Sequence, residues 1–191
     1  MDKDSKILVT GALGFLGRHV CEELRGRGYL NIIECANSHT TTRYYIDGKT
    51  GIHHCDLREK SSSLALISHN TPDVVIHLAA RVGGIGANQE YPGTFIHDNL
   101  IMGVNLIEAC KFSVEKFVLA GTVCSYPKYA KVPFEEQFIW DGYPEETNAP
   151  YGIAKKTLTV MLEAYRNQYG LNGITTIPVN MYGPYDTFKP E

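Results

Sequence analysis

The 191-residue chain predicts a doubly wound α/β fold: a parallel sheet with helices on both faces. Three observations carry that prediction. Short apolar runs rich in β-branched residues alternate with segments of helical spacing. A glycine-rich turn joins the first run to the first helical segment. No internal repeat or low-complexity linker interrupts the alternation. Strand-helix alternation of this kind requires right-handed crossovers, which bring the strands parallel and bury both faces of the sheet.

The apolar runs are Ile7–Thr10, Asn31–Cys35, Val74–Leu78, Phe117–Ala120 and Ile174–Ile177, each short enough for a buried strand. Between them, Phe15–Arg27, Ser61–His69, Phe95–Lys111 and Tyr151–Tyr169 have helical spacing. In the third, Ile96, Leu100, Val104 and Ile107 form one stripe. Gly28 and Gly170 stand just past helices, where a left-handed cap suits glycine, and Pro72 precedes the Val74 strand. Residues 121–150 contain several prolines, no sustained period and the sole tryptophan, Trp140, so they read as a long loop at a strand end, a usual place for function. One domain spanning 1–191 is expected. A turn at Asn180–Pro184 leads into no further element, which implies that a substrate-binding lobe lies outside this sequence.

Composition narrows the class of partner. With 43% hydrophobic and 20% charged residues the chain is ordinary globular material, and a net charge of −3 without a long basic run lacks the footprint of a nucleic-acid binder. The polar start and a first apolar run of only a few residues contain neither a secretory segment nor a membrane span. Cys21, Cys35, Cys55, Cys110 and Cys124 are odd in number and free of any Cys-x-x-Cys pair, which argues against a disulfide framework and a zinc site and for a cytoplasmic setting. A small-molecule partner is the expectation.

Gly11-Ala12-Leu13-Gly14-Phe15-Leu16-Gly17 follows a strand and opens a helix, the context in which three glycines bind a dinucleotide. The first permits the tight turn, the second lets backbone approach a pyrophosphate, and the third seats helix against strand, so helix N–H groups meet the anion. The acidic residue that takes the ribose hydroxyls of NAD usually lies about 20 positions on. Here Cys35 occupies the strand end, followed by Ala36, Asn37 and Ser38. Without a carboxylate there, a 2′-phosphate meets no repulsion, and Arg18 or Arg43 could supply positive charge, which favours NADP. Glu34, if turned into the site, restores NAD.

Asp56-Leu57-Arg58 follows another short strand; the Asp could accept from an adenine amino group or simply sit at a helix N-terminus beside an arginine. His53, His54, Cys55 and Asp56 are adjacent in sequence, so they alternate faces and do not converge on one metal. In His77-Leu78-Ala79-Ala80 the small alanines allow backbone to pass close to a cofactor, while His77 itself reads as a packed core residue. Asn99 reads either as a buried brace or as a solvated side chain. Tyr151 and Lys155 stand one helical turn apart in Tyr-Gly-Ile-Ala-Lys and share a face. The ammonium is therefore expected to favour the ionised phenol, whose ordinary pKa is about 10.

Together, Gly11-x-x-Gly14-x-x-Gly17, His77-Leu78-Ala79-Ala80, Tyr151-x-x-x-Lys155 and Pro178-x-Asn180-x-Tyr182-Gly183-Pro184 resemble the extended short-chain dehydrogenase/reductases of the nucleotide-sugar branch. Val82-Gly83-Gly84-Ile85, Cys124-Ser125-Tyr126-Pro127-Lys128 and Glu146-Thr147-Asn148-Ala149-Pro150-Tyr151 are similar to the 3,5-epimerase/4-reductases of that branch that act on GDP-4-keto-6-deoxymannose. The resemblance implies a Rossmann-type NAD(P)-binding domain, with Gly11, Gly14, Gly17, Phe15, Leu16, Asp56, Leu57, Ala79, Ala80, Tyr151, Lys155 and Asn180 around the cofactor. It implies Tyr151 as proton donor and Lys155 as the group that holds the nicotinamide ribose. Thr122 falls where the family has serine; its hydroxyl can make the same hydrogen bond, though its methyl restricts χ1. Cys124 matches the epimerisation base, whose partner histidine falls beyond Glu191. A homodimer through the third and fourth helical segments is also implied. The alternatives are other nucleotide-sugar chemistry on the same fold (an epimerase, dehydratase or ketoreductase) and a catalytically silent dinucleotide-binding module; the intact Tyr151/Lys155 pair speaks against the latter.

Overall fold

The computed structural model describes residues 2–37, 45–46, 48 and 51–186. The sheet holds β1 (Ile7–Thr10), β2 (Ile32–Ala36), β3 (Tyr45–Ile46), β4 (His53–His54), β5 (Val74–His77), β6 (Lys116–Ala120) and β7 (Gly173–Thr176), in the order β3-β4-β2-β1-β5-β6-β7. All neighbours pair in parallel except β3, which runs antiparallel to β4 at the edge. The helices are α1 (Phe15–Gly26), α2 (Lys60–Asn70), α3 (Ile85–Glu90), α4 (Pro92–Cys110) and α5 (Ala149–Tyr169).

Alternation along the strands divides the core. Ile7 and Val9 of β1 face α1 and pack with Cys21, while Leu8, Val75, Phe117 and Leu119 face the opposite layer and meet Leu66 of α2, Leu106 and Ile107 of α4, and Leu158 and Leu162 of α5. The chain leaves β1 toward β2 on one side and reaches β5 on the other, so a crevice opens at the carboxyl ends of these strands. Helices α4 and α5 interlock closely, since a Cβ on Gly103 would collide with the side chain of Leu158.

The predicted strands and helices are present with ends shifted by a few residues, and Gly28 and Gly170 adopt the expected left-handed backbone, at φ +83° and +75°. Besides the edge strand β3, which no predicted run covers, three features differ from the prediction. Helix α3 lies in a stretch too short for a detectable period. Helix α4 starts at Pro92, with proline in the first turn where its missing N–H is harmless. The segment 121–150 is not a bare loop: it holds two 3₁₀ turns, Val123–Ser125 and Glu136–Trp140, and a Pro127/Pro144 bridge. Glu145 then accepts from the backbone N–H groups of Thr147 and Asn148 and from both side chains, which fixes the entry into α5 at Ala149.

Candidate active site

Each glycine of the first turn answers a different demand. Gly11 sits at φ +71°, and a Cβ there would come within 2.8 Å of the Ala79 nitrogen; on Gly17 it would strike the Gly11 carbonyl. These two positions are closed by protein. Around Gly14 the nearest atom to such a Cβ is the Gly11 oxygen at 3.2 Å, so its backbone faces open space at the N-terminus of α1.

That space is a cavity of about 470 Å³. Its floor is the glycine turn with Phe15 and Leu16; Cys35, Ala36 and Asn37 close the β2 end, and Asp56, Leu57 and Arg58 stand beside them. Ala79 and Ala80 form the wall toward β5, and Tyr151 and Lys155 of α5 line the far end. The glycine turn and the tyrosine-lysine pair, remote in sequence, thus border one crevice. Asn180 is the exception among the expected cofactor residues: it is exposed and outside this lining, where its neighbours Pro178 and Met181 take part instead. The chain after β7 runs irregularly, so no sheet pattern could indicate which side chain turns inward.

At the β2 end the rival carboxylate is occupied elsewhere. Glu34 is ion-paired with Arg25 of α1 and lies outside the cavity lining, leaving Asn37 at the position where an acid would repel a phosphate. Arg18 donates to the Leu13 carbonyl and rests over the Tyr185 ring; Arg43 and Ser38 lie outside the described residues. Asp56 is buried and takes a paired contact from Arg58, with Nη2 at 2.7 Å and the Arg58 backbone N–H at 3.0 Å. The Arg58 hydrogen bonds hold this carboxyl below the usual carboxylate range. Asp98 of α4, not anticipated from sequence, also lines the cavity and accepts from Arg58, Arg81 and His97. Pairings across such long sequence intervals leave no local signal. Asn99 proves to be a brace: it is buried, accepts from the Arg81 N–H and donates to the Arg81 and Phe95 carbonyls, which pins the segment after Ala80.

At the α5 end, Gly152 seats the turn that carries Thr122 and Cys124 against the helix of Tyr151, although Thr122 and Cys124 themselves lie outside the cavity lining. A Cβ there would collide with the Cys124 carbonyl, so glycine lets the 3₁₀ turn press against α5 one residue from Tyr151. Ser125 locks the contact by donating to the Gly152 carbonyl at 2.9 Å. Thr122 is buried and its Oγ1 accepts from the Cys124 N–H at 3.2 Å, capping the turn. The Tyr151 phenol is pushed up to about 12 by burial and by Cys124, while the Thr122 hydroxyl pulls the other way.

Lys155 does not act as the sequence predicts. It is 2% exposed, and burial pulls its pKa down to about 8. Its charge acts on His77 and is not among the influences on Tyr151. Sharing a helix face places the two side chains on one wall of the crevice, where burial disfavours the charged form of each. No hydrogen bond or ion pair reaches the Lys155 ammonium among the described residues. A buried cation at the cavity wall without a protein partner, together with the open backbone of Gly14, fits a dinucleotide whose ribose hydroxyls and pyrophosphate carry the complementary oxygens.

All five cysteines are free, and among the described residues no group of His, Cys, Asp or Glu is arranged to hold a metal ion. No described helix is long and apolar enough to cross a membrane.

Comparison with known proteins agrees with this geometry. The chain is 35% identical over 191 residues to GDP-L-fucose synthase 1 of Arabidopsis thaliana, covering all of this chain and 54% of that protein. It superposes with a TM-score of 0.81 on an NADP-bound GDP-L-fucose synthetase from Naegleria fowleri, at 27% identity, over 99% of this chain and 54% of that one. It superposes equally, at 0.81 and 28% identity, on an NADP-bound GDP-mannoheptose C4 reductase from Campylobacter jejuni, over 95% of this chain and 53% of that one. The chain spans about half the length of the curated relatives it matches. The model of the NAD-dependent epimerase/dehydratase family matches residues 7–191, and with the glycine turn, the crevice and the Tyr151/Lys155 wall in place, the chain belongs to that family, as an extended short-chain dehydrogenase/reductase.

Proposed function

We propose that this chain is the cofactor-binding half of an NADP-dependent epimerase/reductase that converts GDP-4-keto-6-deoxymannose to GDP-L-fucose. The observation that carries the reading is the packing of the turn that holds Thr122 and Cys124 against α5 at Gly152, one residue from Tyr151, which lines the cavity. The names of the relatives in plants and bacteria support the sugar assignment. Among the described residues no free carboxylate lines the β2 end, with Glu34 ion-paired to Arg25, which supports NADP over NAD.

Gly14 and the start of α1 would hold the pyrophosphate, Asp56 and Leu57 the adenine, and Lys155 the nicotinamide ribose. When bound, the reduced nicotinamide supplies hydride to C4 of the keto sugar. Cys124 is the base that removes the proton from carbon next to the keto group; the turn that carries it packs against α5 at Gly152, next to Tyr151. Tyr151, kept protonated by burial, donates its proton to the oxygen developing at C4. The Thr122 hydroxyl donates a hydrogen bond to that same oxygen as charge builds. Free thiols fit a cytosolic enzyme. A homodimer through α4 and α5 is part of the proposal.

The test is incubation of the longer natural chain with NADPH and GDP-4-keto-6-deoxymannose, followed by identification of the product. Inversion at C3 and C5 with reduction at C4 is the expected result. Reduction without inversion would assign the chain to the C4 reductases instead, and absence of turnover would remove the sugar assignment.

A further inference from the structure

Arg58, in the turn after β4, is held by its rim. Its Nε donates to Asp56 Oδ1 at 2.9 Å and its Nη2 to Oδ2 at 2.7 Å, while Nη1 lies 3.4 Å from Asp98 Oδ2 on α4. Both carboxylates are buried, with side chains 6% and 8% exposed, but the Arg58 side chain is 41% exposed and lines the cavity beside Leu57. Asp98 is shared. The same Oδ2 takes Arg81 Nη1 at 3.3 Å, from the segment after β5 whose backbone Asn99 pins, and Oδ1 meets His97 Nδ1 at 3.0 Å. One carboxylate of α4 thus ties together the cavity-lining segments that follow β4 and β5.

The chemistry of this cluster selects its ligand. Two arginines are matched by two aspartates, so no surplus charge is left to recruit a phosphate. A guanidinium whose Nε, Nη1 and Nη2 all point at buried carboxylates has its rim engaged and keeps its flat faces for a ligand. Such a delocalised, weakly hydrated cation stacks on a π-system. The dinucleotide carries a ring of that kind, the adenine, which the proposed function gives to Asp56 and Leu57 on either side of the same turn. We propose that Arg58 is a further cofactor-binding residue whose guanidinium face stacks on the adenine, and that Asp98 is the positioning residue that fixes its plane.

The inference rests on the dinucleotide reading of the crevice, and three ligands separate the two. NADPH, NADH and reduced nicotinamide mononucleotide, which lacks the adenosine, are titrated by fluorescence into wild type, Arg58→Lys and Asp98→Asn. Lysine keeps the charge beside Asp56 and removes the plane; asparagine keeps the volume of Asp98 and removes the charge that two arginines share. Arg58→Lys should bind NADPH and NADH each about tenfold more weakly, the worth of one stacked cation, and Asp98→Asn about threefold more weakly. Mononucleotide affinity should stay at the wild-type value in both. Unchanged NADPH affinity in Arg58→Lys would overturn the proposal. So would a loss confined to NADPH, which would make Arg58 a reader of the 2′-phosphate, or an equal loss for the mononucleotide, which would mark a collapsed crevice. Should neither variant fold, wild type with bound NADPH decides: NOEs from adenine H2 or H8 to the Arg58 δ-protons support stacking, and their absence refutes it. Failure of wild type to bind any of the three ligands would instead remove the cofactor reading, and this inference with it.

Discussion

Replacing Lys155 by methionine should stabilise the protein while abolishing its chemistry. The lysine is 2% exposed, and its pKa falls from the ordinary 10.5 to about 8 because burial disfavours the charge. The shift is about 2.5 units, and at 1.36 kcal/mol per unit the folded state is penalised by about 3 kcal/mol whenever the lysine is charged in both states. The folded pKa lies below the unfolded one, so the unfolded chain binds more protons between the two values. The wild type therefore gains stability as pH rises from about 8 toward 10.5. Methionine has similar length and no charge to desolvate. Urea unfolding at pH 7 should show the variant more stable by up to about 3 kcal/mol, equivalent to roughly 6–12 °C in Tm for a chain of this size. The gap should hold below pH 8 and narrow as pH approaches 10.5. A variant no more stable than wild type at pH 7, or a gap constant up to pH 10.5, would refute the claim that Lys155 is held at a desolvation penalty for function.

Other substitutions separate packing from binding. Tyr151→Phe should remove C4 reduction while NADPH still binds with unchanged affinity by fluorescence titration, because in the proposed mechanism the hydroxyl serves the sugar. Gly14→Ala should leave stability within about 1 kcal/mol, since only the Gly11 oxygen is near, yet weaken dinucleotide binding at least about tenfold; Gly17→Ala, which collides with backbone, should cost about 3 kcal/mol or more in urea unfolding. Gly152→Ala should force the Cys124 turn off α5, with a fall in kcat larger than any change in NADPH affinity by calorimetry. Asn37→Asp should shift the NADP/NAD preference toward NAD by at least about tenfold in kcat/KM, because a carboxylate at the β2 end repels a 2′-phosphate.

Much of the fold was legible because it follows from period and punctuation. Ile7–Thr10 and Val74–His77 are continuous apolar runs, and Gly28 and Gly170 mark helix ends by the backbone they permit. The site was legible where a motif is local: the glycine turn and the Tyr151/Lys155 turn of helix both face the crevice. What escaped depends on contact between distant segments. Asp98 reaches Arg58 and Arg81 only once α4 is laid beside β4 and β5. Gly152 is read from sequence as an ordinary helical residue, and its purpose emerges only when the Cys124 carbonyl is seen against it. The effect of Lys155 on Tyr151 was misjudged because spacing along a helix says nothing of desolvation, which here is the larger effect on both groups.

The notch at Gly103 reaches beyond local packing. Because Leu158 fills it, the side chain of α5 seats directly against the α4 backbone, and sliding or rotating α5 would carry that leucine out of the notch. Leu158 lies three residues beyond Lys155, and Asn99, which pins the Arg81 segment, lies four before Gly103. A side chain added at this distant position would therefore shift the Tyr151/Lys155 turn of α5 relative to the glycine turn across the crevice, although Gly103 itself is outside the cavity lining.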